Sequence, residues 1–112
     1  MAKKFIFNSK YGGAVEGYLV TNTYANTGNL YIGVMGMDKD LGAYTAWTDL
    51  SVNIIKLGNG EFAYDANNNY AYNDIIDILQ KNGVVKYLGY DIPSGYCKYP
   101  VYKVTSKFKQ WV

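Results

Sequence analysis

The segment "SGYCKYPVYKV", residues 94–104, gathers three tyrosines, two lysines, the single cysteine and one of the two prolines. Phenols offer broad rings with a polar rim, and ammonium groups offer point charge, so the chemistry open to this stretch is recognition rather than bond breaking. Cys97 would be nucleophilic only as a thiolate, and although Lys98 and Lys103 stand close in sequence, the chain has no histidine to take its proton. A semi-buried structural thiol is the expected role.

Other stretches resemble sites and fall short of them. "DANNNY" puts Asp65, Asn67 and Asn69 at the first three ligand positions of a calcium loop. The sixth position is then Tyr70, where the sharp turn needs glycine, and the twelfth is Ile76, where a bidentate glutamate belongs. Asp38 and Asp40 in "MDKDLG" fit an aspartate-rich turn better than a two-carboxylate magnesium site. "GVMGMDKDLG" has glycines at the wrong intervals for a phosphate loop and no Gly-Lys-Ser/Thr. The spacing of Glu16 and Glu61 gives no support to a paired acid and base. No cofactor and no metal is therefore expected.

Composition narrows the classes further. Thirteen tyrosines, twelve glycines and eleven asparagines accompany eleven lysines, with no histidine and no arginine. Without imidazole the usual general base and metal ligand are missing, which excludes ordinary hydrolytic triads. Without guanidinium, base-specific DNA reading lacks its commonest tool. Tyr, Gly, Asn and Ser are the residues favoured in binding loops, where tyrosine gives large contact area with only two side-chain torsions to freeze. The net charge of +2 conceals a gradient. Residues 1–15 carry +3, residues 16–91 carry −5 and residues 92–112 carry +4. If the terminal strands lay side by side they would form one positive face suited to phosphates or an acidic protein patch. The competing reading is an edge whose lysines discourage strand pairing.

The elements that must position these residues follow from periodicity. At 112 residues, with 49% hydrophobic and 18% charged side chains, the chain reads as one globular domain over residues 1–112. No apolar run approaches the roughly 20 residues of a membrane span, "MAKKFIFNSK" is too short in apolar residues for a secretory signal, and a lone cysteine calls for no oxidising compartment. A soluble cytoplasmic protein with no membrane partner is expected. "KFIF" and "AVEGYLVTN" read as a hairpin across Gly12-Gly13, and "NLYIGVM" alternates Leu30, Ile32 and Val34 against Tyr31, Gly33 and Met35. In "DLSVNI" the pattern predicts Leu50, Val52 and Ile54 inward, with Asp49, Ser51 and Asn53 in water. Tyr72, Ile75, Ile76 and Leu79 then recur at helical spacing, predicting an amphipathic helix over about 70–82 stopped by Asn82-Gly83. A final hairpin turns at Ile92-Pro93-Ser94-Gly95, with Pro100 placing its last strand at an edge or bulge. The predicted fold class is α+β: an antiparallel meander of five to seven strands, one helix packed on one face, and a C-terminal hairpin.

"NLYIGVM", "AWTDLSVNI", "EFAYDANNN", "LQKNGVV" and "SGYCKYPVYKV" together resemble a family of small uncharacterised bacterial proteins found in gut Firmicutes, phages and other mobile elements. The resemblance covers residues 28–104 and carries no catalytic motif. It implies an accessory protein of a mobile element, of the kind that binds host defence machinery, such as an inhibitor of a CRISPR effector. Three functions stand at this point. The first is a non-enzymatic binding protein that docks a protein partner, such as a host defence nuclease, through Tyr96, Lys98, Tyr99, Tyr102, Lys103, Lys107 and Lys109. The second is a nucleic-acid-binding accessory protein, with Tyr96, Tyr99 and Tyr102 stacking on bases and the same lysines on phosphates. The third is a carboxylate- or thiol-dependent enzyme. The sequence leaves the oligomeric state open, with a dimer among the options.

Overall fold

The structure is a computed structural model. It describes residues 2–9, 13–69 and 74–112. Four strands form the first sheet: β1 (Phe5–Ser9), β2 (Gly13–Thr23), β3 (Leu30–Asp38) and β4 (Ala43–Asp49). Each pairs antiparallel with the next, as the alternation predicts. Phe5, Phe7 and Ser9 on β1 are buried while Ile6 and Asn8 between them are exposed, which is the period-two signature in full. The β3–β4 turn closes when the Asp38 carboxylate accepts the N–H groups of Asp40 and Leu41 at 2.9 and 3.2 Å, so that carboxylate serves turn chemistry. A register shift opposite Val34 and Met35 leaves Trp47 as the extra residue of β4, and its ring meets Phe7 edge-on at 6.3 Å.

The expected continuous strand "DLSVNI" breaks at Leu50. There the Leu50 N–H donates to the Ile32 carbonyl at 2.9 Å, and Ser51 Oγ accepts the Ile32 N–H at 2.9 Å while exchanging a hydrogen bond with the Tyr24 hydroxyl at 3.1 Å. A hydroxyl standing in for a carbonyl ends the ladder, and the chain leaves for a second sheet. Ser51, predicted to face water, is thus buried, and Asn53 is half-buried. The second sheet contains β5 (Ser51–Val52), β6 (Glu61–Tyr64), β7 (Val85–Ser94) and β8 (Cys97–Val104), ordered β5-β6-β8-β7. Eight described strands in two sheets of four therefore replace the single meander of five to seven.

The helix α1 spans Asp74–Lys81, with Ile75, Ile76 and Leu79 buried, each worth about 1.5–3 kcal/mol of apolar burial. The predicted start near residue 70, and Tyr72 in its stripe, lie outside the described residues. Its C-terminus matches the expectation. Gly83 takes φ of 69°, letting its N–H reach the Gln80 carbonyl at 3.0 Å and the Val84 N–H reach Leu79 at 2.9 Å, a reciprocal cap that needs a left-handed residue. Asp74 accepts the Asn8 N–H at 2.7 Å, tying the helix to β1. After β8, Thr105 caps a short 3-10 helix over Ser106–Gln110 by accepting the Lys107 N–H. This segment, with no counterpart in the sequence reading, sends Phe108 and Trp111 into the core, where Trp111 lies 5.5 Å from Phe5.

The main core fills the space between the two sheets and the helix, with Phe7, Leu19, Ile32, Phe62, Ile75 and Leu79 fully buried. A second cluster of Ala63, Ile92 and Val101 lies on the other face of the second sheet, covered by Val52, Ile54 and Leu57. Val52 and Ile54 therefore do point inward, but into this smaller cluster, away from the helix.

Candidate interaction surface

The hairpin of β7 and β8 carries most of the predicted site, and alternation sorts its residues onto different faces. Tyr102 points into the main core, stacked on Phe62 at 5.9 Å and edge-on to Tyr64 at 5.8 Å, while its hydroxyl accepts a hydrogen bond from the Gln80 amide at 2.9 Å. It is buried, so the expectation that its ring stands open to a partner does not hold. Tyr99 lies on the opposite face, half-buried against the second cluster. Cys97 is half-buried, as expected for a structural thiol. Tyrosine fits both ring positions because it buries apolar area and keeps a polar tip.

Pro100 explains the strand's placement. β8 is a central strand, between β6 and β7, so of the edge or bulge expected from its proline the edge does not apply. Pairing with β6 stops at Val101, however, and the register of β7 shifts between Tyr87 and Asp91, which pairs with Pro100. Proline thus sits where one neighbour has ended and the other is bulged, the positions where its missing N–H costs nothing.

Beyond Pro100 the hairpin runs two-stranded to its tip. The turn comes at Gly95-Tyr96, two residues later than the sequence suggests, because Ile92 and Pro93 pair with Tyr99 and Lys98. Gly95 takes φ of 60° and Tyr96 does not, the pattern of a hairpin turn with glycine at its first central position. This projects Tyr96 fully into solvent, with 109% relative exposure. The bulge in β7 also lifts Tyr90 and Tyr87 outward, at 46% and 43% exposure. Tyr87 donates to Asp91 at 2.9 Å, which holds the phenol protonated above its ordinary range. Tyr90 therefore belongs with Tyr96 and exposed Lys98 in the candidate surface, whereas Tyr87, paired with Tyr102, stands at the base of the hairpin. The Gly89-Tyr90 pair inside an otherwise alternating strand was the signal for the bulge.

Lys103, Lys107 and Lys109 are exposed but lie at the other end of the hairpin, since the eight residues of β8 span about 26 Å. The predicted set is therefore split: Tyr96 and Lys98 at the tip, Tyr99 on one face, Tyr102 in the core, and three lysines at the base. The terminal strands do not lie side by side, because β1 and β8 belong to different sheets. The ends meet instead through Lys3, whose ammonium sits 4.9 Å over the Trp111 ring.

The first sheet presents its own phenols on its outer face, in a different state. Tyr18 and Tyr44 pack edge-on at 5.0 Å, Tyr44 donates to Glu16, and Lys4 lies 5.1 Å over the Tyr44 ring. Contact with Tyr44 raises the Lys4 pKa. Tyr31 donates to Asp49 at 2.6 Å, a bond that pushes its pKa up to about 12. These rings are half-buried by one another. Tyr11 lies outside the described residues.

Two buried asparagines, whose role the sequence reading missed, brace these surfaces. Asn29 donates to the Ile55 carbonyl at 2.6 Å and accepts the Leu57 N–H at 2.8 Å, fastening the β2–β3 turn to the segment that covers the second cluster. Asn69 donates to the Asp49 and Asp65 carbonyls at 2.8 and 2.7 Å and accepts the Thr48 hydroxyl, so the apparent calcium-loop residue is a clamp on the end of β4. Clefts of about 280 and 450 Å³ flank Trp47. Among the described residues no three carboxylate or thiol side chains gather as metal ligands, and no helix is long and apolar enough to cross a membrane.

No curated protein and no solved structure matches the chain. A family profile described as a domain of unknown function, DUF4313, matches residues 18–111. That span contains the whole of the segment, 28–104, on which the resemblance to an uncharacterised family rests, and the chain belongs to the DUF4313 family.

Proposed function

We propose that this chain is a binding protein that works without turnover, inserting the outer half of the β7–β8 hairpin into a protein partner. The observation that carries the reading is the fully solvent-exposed Tyr96 at a two-residue turn, with Tyr90 exposed on the same hairpin. A ring left in water gives the fold little and gives a partner a large anchor at low entropic cost. The asparagine brace and the second cluster hold the hairpin's base, so the tip is presented on a rigid support. Lys98 beside the tip speeds and orients association with an acidic patch. The resemblance to proteins of phages and mobile elements supports a cytoplasmic setting and a host defence effector, such as a CRISPR nuclease, as the partner, with inhibition by steric obstruction.

The test compares the wild-type chain with Tyr96→Ala and Tyr90→Ala as baits in cells carrying such a nuclease, and as additions to its cleavage reaction. Co-purification and inhibition by the wild type, lost in a double variant with an unchanged melting temperature, support the reading. Equal capture by the double variant, or consumption of a substrate by the chain alone, contradicts it.

A further inference from the structure

Away from the hairpin tip, six lysines gather at one pole of the molecule. Lys81 ends α1, Lys86 is the second residue of β7 and lies directly across from Lys103 on β8, and Lys107 and Lys109 follow on the 3-10 helix. Lys107 stretches over Gly83, its ammonium 3.4 Å from where a β-carbon on that glycine would stand. Lys3 closes the group over Trp111. The Thr105 hydroxyl accepts the Lys107 N–H and donates to the Gly83 carbonyl, and its N–H donates to Val84, so helix end, strand base and 3-10 helix form one surface.

Part of this charge has structural reasons. Lys81 complements the helix dipole and stands one turn after Asp77, and Lys86 guards the edge strand β7. Lys107 lies over Gly83 at the C-terminus of α1, where its charge also complements the dipole, and Lys103 stands opposite Glu61 in the ladder, whereas Lys109 has no such duty. Two ammonium groups directly opposite each other on adjacent strands, Lys86 and Lys103, work against the sheet. The carboxylate across the other ladder, Glu61, accepts the Gly58 N–H at 3.2 Å. Like charges kept opposite each other at a cost to the sheet point to a surface kept for a ligand.

The composition of the pole selects the ligand. Protein interfaces centre on exposed aromatic residues and arginine and are depleted in lysine. Here Phe108 and Trp111 are buried, Tyr87 beside Lys86 is partly exposed with its hydroxyl bonded to Asp91, and the charged side chains of the 3-10 helix are lysines alone, beside exposed Ser106 and Gln110. Flexible ammonium groups on a broad surface suit a phosphate backbone read by charge and not by sequence. We propose that this pole binds the phosphate backbone of a nucleic acid, at a site separate from the tyrosine-bearing tip.

The experiment is fluorescence anisotropy with a labelled 20-base-pair duplex, and with the corresponding single strand, between 50 and 300 mM salt. Four phosphate contacts predict log K against log salt with a slope of about −4 on the duplex. Replacing Lys103, Lys107 and Lys109 together by Gln should weaken binding at 50 mM salt at least tenfold and reduce the slope to about −1. Tyr96→Ala should change neither. The three lysines are exposed, so a melting curve confirms the fold, and the wild-type slope is a readout that needs no variant. No binding of either nucleic acid at 50 mM salt, an unchanged affinity in the triple variant, or equally tight binding of a labelled poly-glutamate chain would overturn the assignment.

Discussion

The phenols of the first sheet and those of the β7–β8 hairpin are chemically the same and structurally opposite. On the first sheet Tyr31 is bonded to Asp49, Tyr44 to Glu16 and Tyr24 to Ser51, and Tyr18 packs on Tyr44. Tyr31, Tyr44 and Tyr24 use their hydroxyls within the fold, and Tyr18 uses its ring. On the hairpin the same residue changes role along one strand: Tyr102 is core, Tyr99 is half-buried, and Tyr96 touches water on every side. The difference teaches that tyrosine count alone does not mark an interface. What marks one is a phenol whose ring the fold leaves in solvent on a braced support.

The sharpest way to break this contrast is at the base of the hairpin. Tyr102→Ala removes a ring packed among Phe62, Tyr64 and Tyr87, and should cost about 3–5 kcal/mol in denaturant unfolding. A loss under 1 kcal/mol would mean that the residue is not core. Alkaline pH tests the internal phenols next. Burial pushes Tyr64 up to about 12, and the Asp49 bond does the same for Tyr31. Unfolded phenols ionise near pH 10, so both contributions are intact below pH 10 and are lost as pH rises towards 12. Chemical denaturation midpoints should fall across that window, and Tyr64→Phe should flatten the fall.

A smaller effect is expected at the turn. Gly95→Ala places a β-carbon at φ of 60° and should destabilise by about 1 kcal/mol through backbone strain, leaving the rest of the hairpin's amide exchange unchanged. The smallest belongs to the tip ring. Tyr96→Ala should change stability by less than about 0.5 kcal/mol while costing more than about 1 kcal/mol in partner binding.

The legible parts of the sequence were those written in local period. β1 to β3, the stripe of Ile75, Ile76 and Leu79, and the Gly83 stop follow from alternation, helical spacing and turn chemistry. What escaped was set by single side chains acting at long range. Ser51 replaces a ladder acceptor and sends the chain to a second sheet, and Asn29 and Asn69 are buried although their type favours surface turns. The candidate site was legible only at Tyr96 and Lys98. Two residues of extra pairing, Ile92 with Tyr99 and Pro93 with Lys98, moved the turn, and alternation then assigned Tyr99 and Tyr102 to opposite faces.

The most direct test of the central claim, that the hairpin tip is built for contact and not for folding, is quantitative affinity capture from the cell that makes the chain. The wild type and the Tyr90→Ala/Tyr96→Ala double variant would be compared at equal melting temperature. The tip reading predicts one protein enriched by the wild type and reduced at least tenfold with the variant. Undiminished capture of that protein by the variant would contradict it.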